Sequence, residues 1–243
     1  MTKSIKVLGF FSIILILVSC GPSGEKANSS NPEAVISAAG VQYNANISTS
    51  VIDWEGTKPG GSHVGTIAIQ SGTVNVDKGQ IVGGSFLIDM KSIKNTDLTD
   101  PEYNKKLVGH LMSPDFFAVD SFPTAKFEIT KVEALPQPEN LDGVSANSIV
   151  SGNLTIKSIS RAIQFKANIV VDEAAGSVSA TSVKFIIDRS EWKIKYGSRK
   201  FFDNLKDKFI NDEIGMKVMI KATNASVSSN YTIPSVKKNN PDC

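Results

Sequence analysis

The feature that most constrains the fold of this chain is an alternation of side chains with period two that recurs between residues 50 and 220. In one stretch, the large apolar residues Phe86, Ile88 and Met90 are separated by Leu87 and Asp89. Successive side chains of a β-strand point to opposite faces, so this pattern indicates strands with one face in a core. Roughly eight to ten such stretches joined by short turns predict an all-β domain, either a barrel or a sandwich.

Only one face of each strand can point inward, and the face with the larger apolar side chains is the predicted interior. Trp54 and Trp192 are the most informative members, because each combines a large ring with an N–H group that needs a polar partner. The full predicted inward-facing set is Ile52, Trp54, Phe86, Ile88, Met90, Phe127, Ile129, Phe165, Ala167, Phe185, Ile187, Trp192, Ile194, Tyr196, Met216 and Val218.

One segment departs from the alternation. Residues 101–112 place Leu107, Val108 and Leu111 on one face of a helix. The Ser-Pro-Asp sequence at 113–115 ends that helix and is typical of a cap that opens another helical turn. The sequence therefore predicts one helical insertion, which either lies across the mouth of a barrel or plugs one end of its core.

The N-terminus is typical of a bacterial export signal. Residues 1–6 are short and basic, and residues 7–18 are almost wholly apolar but shorter than the ~20 residues of a spanning helix. The Leu-Val-Ser-Cys sequence that ends at Cys20 resembles the lipobox, where cleavage precedes a cysteine that becomes lipid-modified. We therefore expect a signal peptide over 1–19 and a lipid anchor on Cys20. A secretory signal with an incidental cysteine and an uncleaved anchor are the alternatives.

Composition divides the remainder of the chain. Residues 20–40 are rich in Ser, Gly, Asn, Ala and Pro, which predicts a flexible tether behind the lipid anchor. Residues 41–228 carry the strand pattern and form the predicted barrel domain. Residues 229–243 predict a disordered tail. An anchored protein of this kind is expected in the cell envelope, on the periplasmic side or at the outer membrane.

The charged residues, cysteines and histidines of the sequence argue against several classes of function. Residues 21–243 contain 24 Lys and Arg and 24 Asp and Glu without a basic stripe, so no nucleic-acid partner is predicted. The two cysteines, Cys20 and Cys243, leave no internal disulfide or cysteine-based zinc site. Of the two histidines, His63 is expected at a rim where it contacts a ligand, and His110 is expected to be solvated. No catalytic or metal motif is present.

Four ordered stretches resemble the YceI-like polyisoprenoid-binding family. The central stretch is N-K-K-L-V-G-H-L-M-S-P-D-F-F at 104–117, followed by F-P-T-A-K-F at 122–127. The others are 83–93 together with Gly65, 152–157 (G-N-L-T-I-K) and 188–197 (D-R-S-E-W-K-I-K-Y-G). One departure is Gly109, where many members carry an acidic residue.

The resemblance implies a lipocalin-like, extended antiparallel β-barrel of about eight strands whose tunnel holds a polyisoprenoid or quinone-like lipid, without catalysis or another cofactor. A structural lipoprotein with a filled barrel is the alternative, and an enzyme acting on an isoprenoid or quinone head group is a third. A homodimer that pairs through exposed edge strands stays open. The expected lipid-binding residues are Ile52, Trp54, His63, Phe86, Ile88, Met90, Phe127, Ile129, Phe165, Phe185, Ile187, Trp192, Ile194 and Tyr196.

Overall fold

The computed structural model describes residues 21–35 and 39–224. These residues form eleven β-strands, one α-helix and two short 3₁₀-helices. The strands are β1 Glu25–Lys26, β2 Val41–Ala45, β3 Val51–Lys58, β4 Gly61–Asp77, β5 Gln80–Asn95, β6 Thr124–Leu141, β7 Val144–Ile156, β8 Ile159–Asp172, β9 Ser177–Ser182, β10 Phe185–Asp188 and β11 Glu213–Thr223. The helix α1 is Pro101–Met112, and the 3₁₀-helices are Arg189–Trp192 and Lys206–Lys208.

Eight of the strands close into a ring. From β3 to β9 each consecutive strand pairs antiparallel with the next, and β11 pairs with both β9 and β3. The short strand β2 pairs with β11 and β4, and β10 pairs with β11. The prediction of an extended, lipocalin-like antiparallel barrel with about eight strands is confirmed.

The strands are long enough to make the barrel deep. The longest, β6, has 18 residues, and β4 and β5 have 17 and 16. Register shifts within the β4–β5 pair, between Thr66 and Ala68 and between Ile69 and Ser71, bend these strands around the barrel. Burial alternates along the same strands, so that the inner face of β5 presents Phe86 to the core.

The helix α1 begins and ends with side-chain hydrogen bonds. The Asp100 carboxylate accepts from the backbone N–H groups of Glu102 at 2.8 Å and Tyr103 at 3.1 Å, and Pro101 stands at the first helical position. The predicted helical insertion is therefore present. No helix within the described residues is long and apolar enough to cross a membrane.

The expectation of a second helical turn opening at 113–115 is wrong. Ser113 closes α1 instead, because its hydroxyl donates to the His110 carbonyl at 2.8 Å and its backbone is extended. The chain then turns sharply, and Ala118 adopts a left-handed conformation while its N–H donates to the Ser113 carbonyl at 2.9 Å. This turn buries Phe116 in the barrel end.

Residues 21–35, which the sequence predicts as part of a flexible tether, lie against the barrel instead. The strand β1 pairs in parallel with β10, and Ser30 forms an antiparallel bridge with Ala162. Farther along, the Asn153 side chain accepts from the Glu33 N–H at 2.9 Å and donates to its carbonyl at 2.7 Å. Polar bonds to the outer wall order this arm, so it carries no apolar periodicity. The predicted signal, Cys20 and the tail at 229–243 fall outside the described residues.

The alternation of Trp192, Ile194 and Tyr196 does not mark a strand. The chain forms a 3₁₀-helix over Arg189–Trp192, capped by the Asp188 carboxylate, and then passes through Lys193 in the left-handed conformation. Trp192 and Ile194 are still buried, whereas Tyr196 is 43% exposed. Trp192 and Ile194 are buried and lie two residues apart, and this spacing occurs in a turn as well as in a strand. The period-two pattern alone therefore does not identify a strand here.

A matched pair of glycine substitutions tests this packing. A methyl group at Gly152 on β7 would collide with the Phe127 ring and approach the Glu128 carbonyl oxygen to 2.5 Å, whereas one at Gly109 on α1 would meet nothing within 4 Å. Gly152→Ala should lower the free energy of unfolding by about 1–3 kcal/mol. Gly109→Ala should raise it by about 0.5–1 kcal/mol. Urea denaturation measures both, and equal effects would contradict the packing described here.

Candidate functional site

A cavity of about 240 Å³ occupies one end of the barrel. Its wall is almost entirely apolar and is formed by the inner faces of strands, by α1 and by the segment around the first 3₁₀-helix. The lining residues are Ile52, Trp54, Gly56, Thr57, Lys58, His63, Ile67, Ile88, Met90, Ile93, Leu107, His110, Leu111, Phe116, Phe117, Ala125, Leu154, Ile156, Ile187, Arg189, Trp192, Ile194, Ile210, Asn211, Ile214 and Met216.

The exposed part of this lining marks the mouth of the first cavity. Lys58, at the turn between β3 and β4, is exposed, and His63, Leu107, Ile210 and Asn211 are half-buried. The mouth therefore lies between the β3–β4 hairpin, α1 and the loop that leads into β11. The helix α1 does not plug the core, because none of its residues is fully buried. It lies at the mouth, where Leu107, His110 and Leu111 form part of the cavity wall.

A second cavity of about 100 Å³ continues deeper into the barrel. It is lined by Ile52, Ile69, Val74, Ile81, Phe86, Ile88, Phe127, Ile129, Val132, Val150, Leu154, Ile163, Phe165, Ala167, Ile169, Val178, Ala180, Ser182, Phe185, Met216, Val218 and Ile220. Along β5, for example, residues 88–93 line the first cavity and residues 81–88 the second. The two cavities are therefore arranged end to end along the strands.

Four side chains separate the two cavities and line both of them: Ile52, Ile88, Leu154 and Met216. Met216 is half-buried and unbranched, so its side chain can change rotamer without moving the backbone. These four side chains form a constriction between the cavities, and Met216 is the one that can most readily change conformation.

Thirteen of the fourteen residues expected to contact a lipid line one of these cavities. The first cavity is lined by Trp54, His63, Met90, Ile187, Trp192 and Ile194. The second is lined by Phe86, Phe127, Ile129, Phe165 and Phe185. Ile52 and Ile88 line both. Tyr196 is the exception, since it stands outside the wall. Within the second cavity, Phe165 and Phe185 stack with ring centroids 4.4 Å apart.

His110 is a lining residue that the sequence interpretation missed, because it was expected to be solvated. Its ring meets Phe116 edge-on at 5.0 Å and Tyr196 edge-on at 4.4 Å between centroids. Tyr196 thus covers the outer side of a histidine whose inner side faces the cavity. The position of His110 one helical turn after Leu107 and beside Leu111 is the signal that indicates this placement.

The two tryptophans differ in how their N–H groups are satisfied. Trp192 is fully buried, and its Nε1 donates to the Leu154 carbonyl at 3.0 Å, which fixes the ring across the inner face of β7. Trp54 lies over Gly65 on the neighbouring strand β4, where a larger residue would collide with its ring. The Trp54 Nε1 is buried and has no partner among the described residues.

Arg189 brings a buried guanidinium to the wall of the first cavity, and sequence reasoning did not single it out. Its nitrogens donate to three backbone carbonyls, those of Ile194 at 2.9 Å, Ile210 at 3.1 Å and Asn211 at 3.2 Å. The Asp212 carboxylate lies 3.2 Å from its Nη2. These bonds tie the first 3₁₀-helix to the loop before β11.

The charge of Arg189 is compensated within the protein. Burial lowers the pKa of the guanidinium, while the carboxylates of Asp212 and Asp188 counter that shift. The Phe116 ring also stacks near the guanidinium, 5.5 Å from Cζ to the ring centroid. A buried arginine that is paired in this way strengthens the wall and adds no free positive charge to the cavity.

A group of residues hydrogen-bonded to Asp97, here called the Asp97 cluster, supports the mouth on the β4 side. Asp97 accepts hydrogen bonds from the His63 Nδ1 at 2.9 Å, the Val64 N–H at 2.8 Å and the Asn95 side chain at 2.5 Å. Burial acts to raise the pKa of Asp97, but the bonds from His63, Val64 and Asn95 outweigh burial and hold it below the ordinary value. His63 is therefore held at the rim by its acidic partner.

The described residues contain no group of three or more His, Cys, Asp or Glu side chains that could hold a metal ion. Both cavities are lined mainly by apolar side chains, and most of the polar lining residues belong to the first cavity.

Comparison with known families decides the assignment. Residues 43–222 match the model of the YceI-like domain. The chain belongs to the YceI-like family. A search of curated proteins finds no match for it. The matched span of this YceI-like chain begins in β2 and ends in β11, so it contains the whole ring of strands.

Solved structures show the same fold. The Burkholderia cenocepacia protein BcnA is 19% identical, with a TM-score of 0.52 over 74% of this YceI-like chain and 99% of its own. A polyisoprenoid-binding domain from Saccharophagus degradans, implicated in plant cell wall breakdown, is 12% identical, with a TM-score of 0.54 over 75% and 98%. At these identities the likeness shows the fold alone.

The Asp97 cluster makes a pH-dependent prediction. A carboxyl whose folded-state pKa is lowered adds stability above its unfolded pKa of about 4 and loses it as the pH falls through the folded value. Asp97→Asn should therefore lower the free energy of unfolding by about 0.5–1 kcal/mol at neutral pH, because water screens this exposed carboxylate, and the difference from wild type should shrink toward pH ~2. Urea titrations over this pH range measure it. The exposed Asp77 at the other end of β4 is the control, and Asp77→Asn should have little effect.

Proposed function

We propose that this protein binds a long apolar lipid of the isoprenoid class inside its barrel and catalyses no reaction on it. The observation that carries the proposal is the pair of apolar cavities arranged end to end, which share four lining side chains and have polar groups at one end. A slender, branched hydrocarbon chain fits such a space, because it needs depth along the barrel and no polar partner inside it. The S. degradans domain named for polyisoprenoid binding has the same fold and supports this assignment.

Burial of apolar surface supplies the affinity. Each Å² of apolar surface removed from water contributes about 25 cal/mol, so a chain enclosed over several isoprene units binds tightly without a hydrogen bond. The constriction at Ile52, Ile88, Leu154 and Met216 must open for a chain to pass from the first cavity to the second. The rotation of Met216 offers the least costly opening.

The polar end of the first cavity suits a lipid head group. Thr57 and Asn211 lie there and hydrogen-bond to each other, with 2.7 Å between the Asn211 Nδ2 and the Thr57 Oγ1. His63 and Lys58 complete this edge of the lining. A lipid would therefore enter tail first, with its head group at the mouth.

Two substitutions on one strand test whether the barrel interior binds lipid. Ile88 faces both cavities, and Leu87 precedes it on the opposite face of β5. Ile88→Asp should weaken binding of an added C40 polyprenol by at least about tenfold, because a charge in the passage must be desolvated by the chain. Leu87→Asp should bind like wild type. Native mass spectrometry measures the bound lipid, and circular dichroism confirms that both variants fold.

A filled barrel gives a different pattern. In that case the wild type binds no polyprenol, and Ile88→Asp unfolds because an unpaired charge then enters a packed core.

Met216→Trp provides a second test that adds no charge, since it narrows the constriction between the two cavities. It should weaken binding of long chains, while Lys217→Trp on the outer face should not.

We also propose that the protein is a lipoprotein of the cell envelope, anchored through Cys20. The sequence that ends at Cys20 supports this placement, as does the apolar segment before it. Cys20→Ala should release the protein into a soluble fraction or leave the N-terminal signal uncleaved. Fractionation with N-terminal mass analysis measures both, and a processed variant that stays on the membrane would contradict the anchor.

A further inference from the structure

The loop that borders the cavity mouth has an unusual composition. Residues 193–209, here called the basic-aromatic loop, contain six Lys and Arg and two Asp, a net charge of +4. The whole chain has a net charge of +2, so the remainder is net negative. Positive charge is therefore concentrated beside the opening of a cavity that is itself apolar.

The loop also holds aromatic side chains in solvent. Tyr196, Phe201 and Phe202 are 43%, 40% and 49% exposed, and within the described residues the remaining exposed aromatic side chain is Tyr103 on α1. Backbone bonds fix a turn at the tip, because the N–H groups of Phe201 and Phe202 both donate to the Ser198 carbonyl, at 3.2 and 3.1 Å. The turn holds both phenylalanines away from the core.

Most of the positive charges in the loop are available to a partner. Lys200 pairs with Asp188, but among the described residues no ion pair is formed by the remaining five, Lys193, Lys195, Arg199, Lys206 and Lys208. Some of the cations lie beside the aromatic rings: the Lys195 Nζ is 5.1 Å from the Phe201 centroid and the Arg199 Cζ is 3.4 Å from that of Phe209. Apolar rings flanked by basic side chains are the combination that binds an anionic membrane surface.

The position of the loop relates this surface to the cavity. Ile194, at the start of the loop, lines the first cavity, and so does Ile210, which follows its end. Tyr196 packs on His110, which lines the same cavity from α1. A surface held against the loop therefore faces the mouth.

We propose that the basic-aromatic loop docks the barrel onto an anionic phospholipid bilayer, with Phe201 and Phe202 entering the interface and the cavity mouth directed at the lipid. Docking in this orientation would let an apolar chain pass from the bilayer into the barrel with little exposure to water. It does not require the anchor proposed at Cys20, and its test concerns the loop alone.

Amide hydrogen exchange on vesicles tests this docking with the full-length protein. One set of vesicles contains phosphatidylethanolamine and phosphatidylglycerol, and the other contains phosphatidylcholine alone. We expect slower exchange in the loop on the anionic vesicles than on the zwitterionic ones. Lys206→Gln with Lys208→Gln should weaken binding to the anionic vesicles roughly fivefold for each lysine removed, and the protection of the loop should fall with the bound fraction. Phe201→Ser with Phe202→Ser should abolish the protection.

Matched controls lie at the opposite end of the barrel. Val82 and Val170 are exposed there, and Lys78 and Lys221 are exposed near the same end. Serine at the two valines and glutamine at the two lysines should leave the loop protection unchanged. Equal exchange on the two kinds of vesicle would overturn the proposal, as would an equal loss of protection in the controls. Because no bound lipid is needed, failure here is distinguishable from failure of lipid binding in the barrel.

Discussion

Closure of the sheet by β11 is the interaction on which the rest of the structure depends. This strand hydrogen-bonds to β3 over Ile214–Met219 and to β9 over Met219–Thr223. It therefore joins the two ends of the run of strands from β3 to β9 and closes the ring. Without it the sheet would have two open edges, and the inner side chains would face solvent on one side. With it, every strand of the ring must direct one face into a shared interior. The cavities exist because those inner side chains do not fill the interior.

The same closure accounts for the placement of the site. The loop that leads into β11 is held by Arg189, whose bonds to the carbonyls of Ile194, Ile210 and Asn211 fix one side of the cavity mouth. The Asp97 cluster does the same for His63 on β4. Arg189 and Asp97 are therefore polar groups near the mouth with partners inside the protein, while the interior is left to apolar contacts. An apolar interior with polar groups at its mouth suits recognition of a molecule that is apolar over most of its length.

The alternation in the sequence predicted an all-β barrel or sandwich and most of the wall, and the resemblance to the YceI-like family selected the barrel. Period two forces residues such as Phe86 and Ile88 to share a face, whatever their partners on other strands. It could not distinguish the strand-like spacing of Trp192 and Ile194 from a 3₁₀-helix followed by a left-handed residue, because both bury alternate side chains. It also could not place Arg189 or His110, whose roles depend on contacts with residues distant in sequence. The arm at 21–35 escaped prediction because polar bonds to the outer wall hold it.

The account rests on the claim that the barrel interior is a binding site rather than a loosely packed core. The most direct measurement is organic extraction and mass spectrometry of the protein purified under non-denaturing conditions from its native cells. The account predicts an isoprenoid lipid in near-stoichiometric amount, released when the barrel is unfolded. Protein that is lipid-free after gentle purification and that also takes up no isoprenoid from vesicles would contradict it.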